Sequence, residues 1–434
     1  MKKAISSAGN SIWLRTLAHF TAGGRWSEQL PTTMQRNLRW FWFDGVCAQA
    51  SDAIVITYLP LFVLALGATE AQIGWMSALG SAGAMLVLLP GALLVEKFQR
   101  HRKLICVASG GGIGRWTLPL LALLPLCLRG QPAIYAAIVL SMIRDMAGNL
   151  SLPAWTAITA DIVPLAWRGH YFGSRNLAMG VAGILTTYLV GEFITHLGAP
   201  VGYQWALLMA FGVGMASTLF FAQLDDNESV LEAAATAPAT STSEAAAIRR
   251  QFAFLCLSAV VWNFSLNLAG PFFNVYLYKE LGASAAMVGI LTVMTSFSGL
   301  PAQRLFGRWA DRWGPRRVQL LTALLIPLLP LAWVLVRTPW HVAPINLASG
   351  FLWAGYNLAS FNLLLALMPA EQRARYSAIY QLLVIASLGA GAAVGGQMIT
   401  HWGYTSIFVC SGIGRLIAAL IFARWVQFPI IPKH

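Results

Sequence analysis

Long apolar stretches recur along this chain from about Arg39 to Phe428, separated by short polar breaks. Each runs to roughly 20 residues or more, enough to cross the ~30 Å hydrocarbon core of a bilayer as a helix. About twelve are expected: Trp40–Leu66, Gln72–Val95, Leu104–Leu128, Ala133–Ala160, Tyr171–Leu197 and Tyr203–Gln223, then Gln251–Leu281, Ala283–Phe306, Val318–Val336, Val342–Met368, Tyr376–Thr400 and Tyr404–Phe428. Backbone polar groups in lipid must be satisfied within the segment, so these are helices. The alternation of a membrane barrel is absent. The pattern predicts an all-α membrane protein.

Between the sixth and seventh stretches the composition changes. Leu224–Ile248 carries Asp225, Asp226, Glu228, Glu232 and Glu244 among Ala, Thr and Ser, which predicts a disordered linker. The organisation expected is a tail over 1–38, a six-helix bundle over 39–223, the linker 224–248, a second bundle over 249–428 and a tail over 429–434. Met1–Leu38 is polar and basic and lacks the apolar core of a cleaved signal.

The two bundles repeat. Leu66-Gly-Ala-Thr-x-x-x-Ile-Gly74 matches Leu281-Gly-Ala-Ser-x-x-x-Val-Gly289 at an offset of 215 residues. Carried forward, that offset sets Glu96 against Asp311, Lys97 against Arg312 and Arg102 against Arg317. Pro164-x-x-x-Arg168-x-x-Tyr171 matches Pro369-x-x-x-Arg373-x-x-Tyr376 at an offset of 205. Duplication of a transporter half, giving parallel repeats about an axis along the membrane normal, accounts for this order.

Charge is scarce, 10% of residues, yet the net charge is +13. Assigning alternate breaks to one side collects 22 Lys and Arg there, against Arg129, Lys279 and Arg337 on the other. That asymmetry predicts both termini in the cytoplasm of a multi-pass inner-membrane protein. It also makes basicity a matter of topology, not of nucleic-acid binding. The 5 cysteines lie singly and the 7 histidines fall in tails, breaks or helix ends, so neither a metal site, a cofactor nor a catalytic cluster is expected. No GxxxxGK[ST] loop is present to bind ATP.

Gly307–Arg317 reads GRWADRWGPRR, a short basic hairpin between two apolar runs. With the span count, the linker and the repeat, it resembles the loop between helices 8 and 9 of the major facilitator superfamily. The resemblance covers Arg39 to Phe428, though the first-half copy is degenerate, with Ala92, Glu96 and Gln99 in place of Gly, Asp and Gly. It implies two six-helix bundles rocking about a midplane cavity lined by helices 1, 4, 7 and 10. It also implies a cytoplasmic gate in which Asp311 pairs with Arg373, and Glu96 with Arg168 as the pseudo-symmetric copy. Gly307 and Gly314 would allow a close helix contact and a tight turn, with Arg316 and Arg317 alongside. A purely topological role for these charges is the competing reading.

Ionisable residues inside spans are costly and point to function. Counting from the helix ends places Asp52 and Arg144 near the midplane, with Asp145 adjacent, and this trio is the leading coupling constellation. A static pair tying helices 1 and 4 together is the alternative. Asp44, on the same face nearer the helix end, is expected at an entrance or gate. Arg115 and Arg415, in the runs GGGIGR and SGIGR, are read as structural. In the second half Asn263, Asn267 and Asn274 share one face of helix 7, while helix 10 offers Asn346, Trp353, Tyr356, Asn357 and Ser360. With Asn149, Tyr380 and Gln381 they are expected to line a pocket for a polar or amphipathic organic solute, or else to bond neighbouring helices.

The function expected is therefore secondary active transport of a small organic solute by a monomer in contact with lipid, coupled to protons. A drug or metabolite exporter, an uncoupled facilitator, a flippase or a sensor are the alternatives. Helix 5 has Gly180, Gly183 and Gly191 but no proline, which favours uptake or a specific exporter over a multidrug pump.

Overall fold

Twelve helical stretches succeed one another along the described residues of the computed structural model, which are 30–98, 101–163, 168–225, 242–366 and 373–426. They are α1 (Thr32–Ala65), α2 (Glu70–Lys97), α3 (Arg102–Cys127), α4 (Gln131–Ile162), α5 (Arg168–Leu197) and α6 (Val201–Ala222). Then come α7 (Thr242–Ala269, extended through a 3-10 turn to Lys279), α8 (Ala285–Trp313), α9 (Pro315–Trp333) and α10 (Val342–Ala366). The last helical run, Arg373–Trp425, bends at Gly403 (φ 72°), which divides it into α11 and α12. Ten of the described stretches are long and apolar enough to cross a bilayer, and the 47-residue one among them holds two crossings. Val342–Ala366, at 25 residues, supplies the remaining length.

Local chemistry sets the helix ends. At the repeated sequence, Gly67 and Gly282 both take positive φ (95° and 64°), and a hydroxyl two residues later caps the next helix. Thr69 and Gln72 form a reciprocal capping box, the Gln72 amide donating to Thr69 Oγ1 at 3.3 Å and the Thr69 amide to Gln72 Oε1 at 3.0 Å. Ser284 Oγ accepts from the Met287 amide at 3.2 Å. The duplication is thus one device used twice. Gly314, at φ 83°, ends α8, and Pro315 opens α9, so the expected tight turn is there. Around Gly307, in contrast, a Cβ would meet nothing, so no close helix contact depends on it.

Two boundaries differ from the hydropathy reading. α1 starts at Thr32, inside the expected tail, and α7 starts at Thr242, inside the expected linker. Ser243–Ala247 reads SEAAA, and strong helix formers extend a helix beyond its buried face. The rest of that linker, 226–241, lies outside the described residues, as do tail residues 1–29 and 427–434.

The chain divides into two compact units. The first holds Met1–Leu59, Leu86–Cys127 and Ile143–Glu232; α1, α2 and α4 pass from one unit into the other. Its core packs Leu38 and Phe41 of α1 with Ile158 of α4, Tyr171 of α5 and Phe221 of α6. Two buried phenols stitch α1 to α5: Tyr58 donates to the Thr187 carbonyl at 2.6 Å, and Tyr171 to that of Leu38 at 2.7 Å.

The second unit, Pro60–Met85, Leu128–Met142 and Ala233–His434, packs α7 on α11 and α12, and α8 on α10. Close approach here depends on glycine. A Cβ at Gly391 or Gly395 would fall within 2.3 Å or 2.1 Å of an α7 carbonyl oxygen, and one at Gly74 within 2.5 Å of the Ala392 carbonyl oxygen. Small residues replace side-chain interdigitation where helices associate in lipid. An aromatic group of Phe273, Tyr276, Trp333, Tyr404 and Phe408 fills the space beyond, and Glu70 pairs with Lys279 while accepting from the Tyr404 hydroxyl at 3.1 Å.

Candidate functional site

The first unit encloses a cavity of about 500 Å³ whose lining includes six charged side chains: Asp44, Asp52, Arg115, Arg144, Asp145 and Arg175. Three acids and three arginines cancel, so the cavity is polar without net charge. Asp52, from α1, is its centre. Asp52 Oδ1 accepts from Arg144 Nη2 at 2.8 Å and from Arg115 Nη1 at 3.4 Å. Arg144 also reaches Asp145 Oδ1 with Nη1 at 3.4 Å. The Asp52 and Asp145 side chains are 40% and 43% exposed to the cavity, against 13% for Arg115 and 20% for Arg144. The carboxylates therefore stand in front and the guanidiniums behind. Trp155, Leu152, Met179 and Phe221 add apolar wall, and Asn149, Ser217 and Thr218 add neutral polar wall.

Asp44 lies two helical turns from Asp52 in the same wall, buried at 6% exposure instead of standing at an open entrance. Its Oδ1 accepts from Ser217 Oγ of α6 at 2.7 Å, and Oδ2 lies 3.6 Å from Arg175 Nη2 of α5. Arg175 sits over the Phe41 ring at 4.2 Å and donates Nε–H to the Phe41 carbonyl at 3.1 Å. Gly45 makes room for it, since a Cβ there would meet the guanidinium at 2.4 Å.

The sequence reading placed Asp52, Arg144 and Asp145 together, and the geometry brings them together. It missed three partners. Arg115 faces the cavity although it was read as a structural residue of helix 3. The reason is a π-helical run, Val107–Gly114, directly before it. Each π residue turns less than an α residue, so eight in a row rotate everything after them and the regular α phase misplaces Arg115. Arg175 and Ser217 were invisible because nothing in spacing shows which helices meet. The GGG of helix 3 was the available signal: Cβ atoms at Gly110 and Gly111 would meet Ser151 Oγ at 2.7 Å and a Thr218 methyl at 2.5 Å.

Among the second-unit candidates, interhelical bonding is what the described residues show. Asn267 Nδ2 donates to the Leu388 carbonyl of α11 at 2.8 Å, Asn346 to that of Leu291 at 2.7 Å, and Asn263 back to Ala259 at 2.8 Å. Trp353 and Tyr356 pack around Trp262, the Tyr356 ring stacked on it at 4.5 Å. Tyr380 packs beside Leu363 and Phe422, and Asn357 and Gln381 are exposed. An amide in an apolar setting takes the nearest carbonyl. Asn149 alone of the eight residues expected to line the pocket belongs to the cavity wall. Arg415, expected to be structural, is 2% exposed and reaches the Leu266 carbonyl at 3.4 Å.

Of the expected gate, the side chains of Glu96, Arg168, Asp311 and Arg373 lie outside the described residues. Arg316 caps α12, donating to the carbonyls of Val426 at 3.0 Å and Ala423 at 3.1 Å. Arg317 is exposed.

The family model of the Major Facilitator Superfamily matches residues 41–267 and 255–433. The chain belongs to the Major Facilitator Superfamily. Superfamily relatives include the multi-drug resistance efflux pump PmrA of Streptococcus pneumoniae serotype 4, 23% identical over 410 residues, which cover 92% of this chain and 97% of PmrA. The multidrug resistance protein MdtG of Salmonella typhi is 23% identical over 334 residues, 74% of this chain and 78% of MdtG. Among solved structures, the nucleoside transporter NupG aligns with a TM-score of 0.67 at 13% identity, covering 92% of this chain and 100% of its own. A D-xylose-proton symporter does so at 0.67 and 14%, covering 89% and 97%. At such identities these structures speak for the superfamily fold alone. This chain is thus a multi-pass membrane protein of a family of transporters.

Proposed function

We propose that the protein is a proton-coupled exporter of small amphipathic organic solutes. It would act as a monomer in the inner membrane with both termini in the cytoplasm. Residues 39–223 and 249–428 form its two halves, joined by 224–248, and alternate access to the cavity. The observation that carries this reading is Asp52, a carboxylate open to a mixed polar and apolar cavity and held by Arg144 through one oxygen only. A proton arriving at Oδ2 neutralises Asp52 and loosens Arg144, and a solute group bonding either partner competes with that proton. One carboxylate then serves proton and solute in turn. Trp155, Leu152 and Phe221 suit the apolar part of such a solute. Export is favoured over uptake by relatives that are themselves named efflux pumps, one of them aligned over 92% of this chain.

The test is accumulation of ethidium and a panel of organic solutes in inside-out vesicles under an imposed proton gradient. Asp52→Asn is expected to abolish gradient-driven accumulation while leaving solute exchange without a gradient. Unchanged accumulation in that variant removes Asp52 from coupling.

A further inference from the structure

Two guanidiniums converge on one carboxylate oxygen of Asp52, and the second has no role in the reading above. Arg115 Nη1 lies 3.4 Å from the oxygen that Arg144 holds at 2.8 Å, and it donates to Ser51 Oγ at 2.8 Å. Ser51 is itself fixed, donating to the Ala210 carbonyl of α6 at 2.8 Å. The slot for Arg115 is cut into α6 at Gly214: a Cβ there would fall 2.8 Å from Arg115 Cδ and 2.9 Å from Nε. The π-helical run ending at Gly114 turns the side chain towards that slot. Three separate features thus serve one contact.

We propose that Arg115 is a positioning residue for Asp52, setting how readily that carboxylate takes up and gives back the coupling proton. The inference rests on the coupling role of Asp52. The charged groups about Asp52 are Asp44 on α1, Arg115 on α3, Arg144 and Asp145 on α4 and Arg175 on α5; α6 contributes the hydroxyls of Ser217 and Thr218. Of the three arginines, Arg175 is committed to Asp44 and Arg144 is divided between Asp52 and Asp145. Arg115 has Asp52 as its only acidic partner among the described residues. It holds the ionised form while Arg144 is left to exchange with solute. The proton enters on Oδ2, which has no bond partner, and both guanidiniums stay charged.

Infrared titration of the full chain in lipid nanodiscs, without solute, reads this directly. The carbonyl stretch of protonated Asp52 is assigned by its loss in Asp52→Asn. Arg115→Gln is expected to move the midpoint of that band to higher pH by about one unit or more, a tenfold change in proton affinity. Gly214→Ala, which keeps every charge and only closes the slot, should move it the same way. Gly212→Ala, on the same helix with open space around its Cβ, should not. Midpoints within about 0.3 unit of wild type in both Arg115→Gln and Gly214→Ala overturn the inference and leave coupling at Asp52 intact. Should Arg115→Gln fail to fold, Gly214→Ala decides alone. A band at Asp52 that titrates in no variant overturns the coupling reading itself.

Discussion

Removing the Asp44 carboxylate tests whether the charge cluster is held as the geometry describes. Asp44→Ala leaves the Arg175 guanidinium, 5% exposed, facing an empty place in the wall. Breaking a buried pair by deleting one partner costs about 3–5 kcal/mol, because the other charge stays buried. Here the loss should be smaller. The N–O separation is already 3.6 Å, and Arg175 keeps its bond to the Phe41 carbonyl at 3.1 Å and its seat on the Phe41 ring at 4.2 Å. A desolvated cation–π contact retains about 2 kcal/mol, so the net cost comes to about 2–3 kcal/mol. For a chain of this size that is a fall of about 5 °C in melting temperature. Melting is followed in detergent by the reaction of buried Cys106 and Cys256 with a thiol dye. The double variant Asp44→Ala/Arg175→Met removes both charges and should recover all but about 1 kcal/mol of the loss. A single variant as stable as wild type, or a double variant losing the sum of the two singles, would refute the pairing.

The second unit offers sharper packing tests. Gly74→Ala, driven against the Ala392 carbonyl oxygen at 2.5 Å, should cost about 1–3 kcal/mol in the same melting assay, while Gly173→Ala, with open space around it, should be neutral or slightly stabilising. Arg316→Ala removes both bonds to the end of α12 and should cost about 1–2 kcal/mol, seen as faster amide hydrogen exchange over Leu420–Val426. Glu70→Gln should weaken coupling to Lys279 by less than about 1 kcal/mol in a double-mutant cycle, because Lys279 is 47% exposed and screened; a larger value would mean the pair is dry.

The sequence alone determined the fold class and the place of the first charge pair. Membrane length, hydropathy and the Lys/Arg bias follow from the cost of moving polar groups into hydrocarbon, which each residue incurs wherever its neighbours lie. Duplicated turns were legible for the same reason: Gly67 and Gly282, with Thr69 and Ser284, act within four residues of chain. Asp52 and Arg144 could be matched by depth because a helix climbs ~1.5 Å per residue. Which way a side chain faces needs the phase of the helix and the identity of its neighbours. The π-helical run in α3 changed the phase and brought Arg115 to Asp52, a contact between residues 63 positions apart. Asp44 found Arg175 and Ser217 only through the packing of α1, α5 and α6. On α7 and α10 the same amide pattern fits a pocket lining or a helix seam, and distance to the nearest carbonyl decided for the seam at Asn267 and Asn346. Depth is written along the chain, whereas facing is decided between helices.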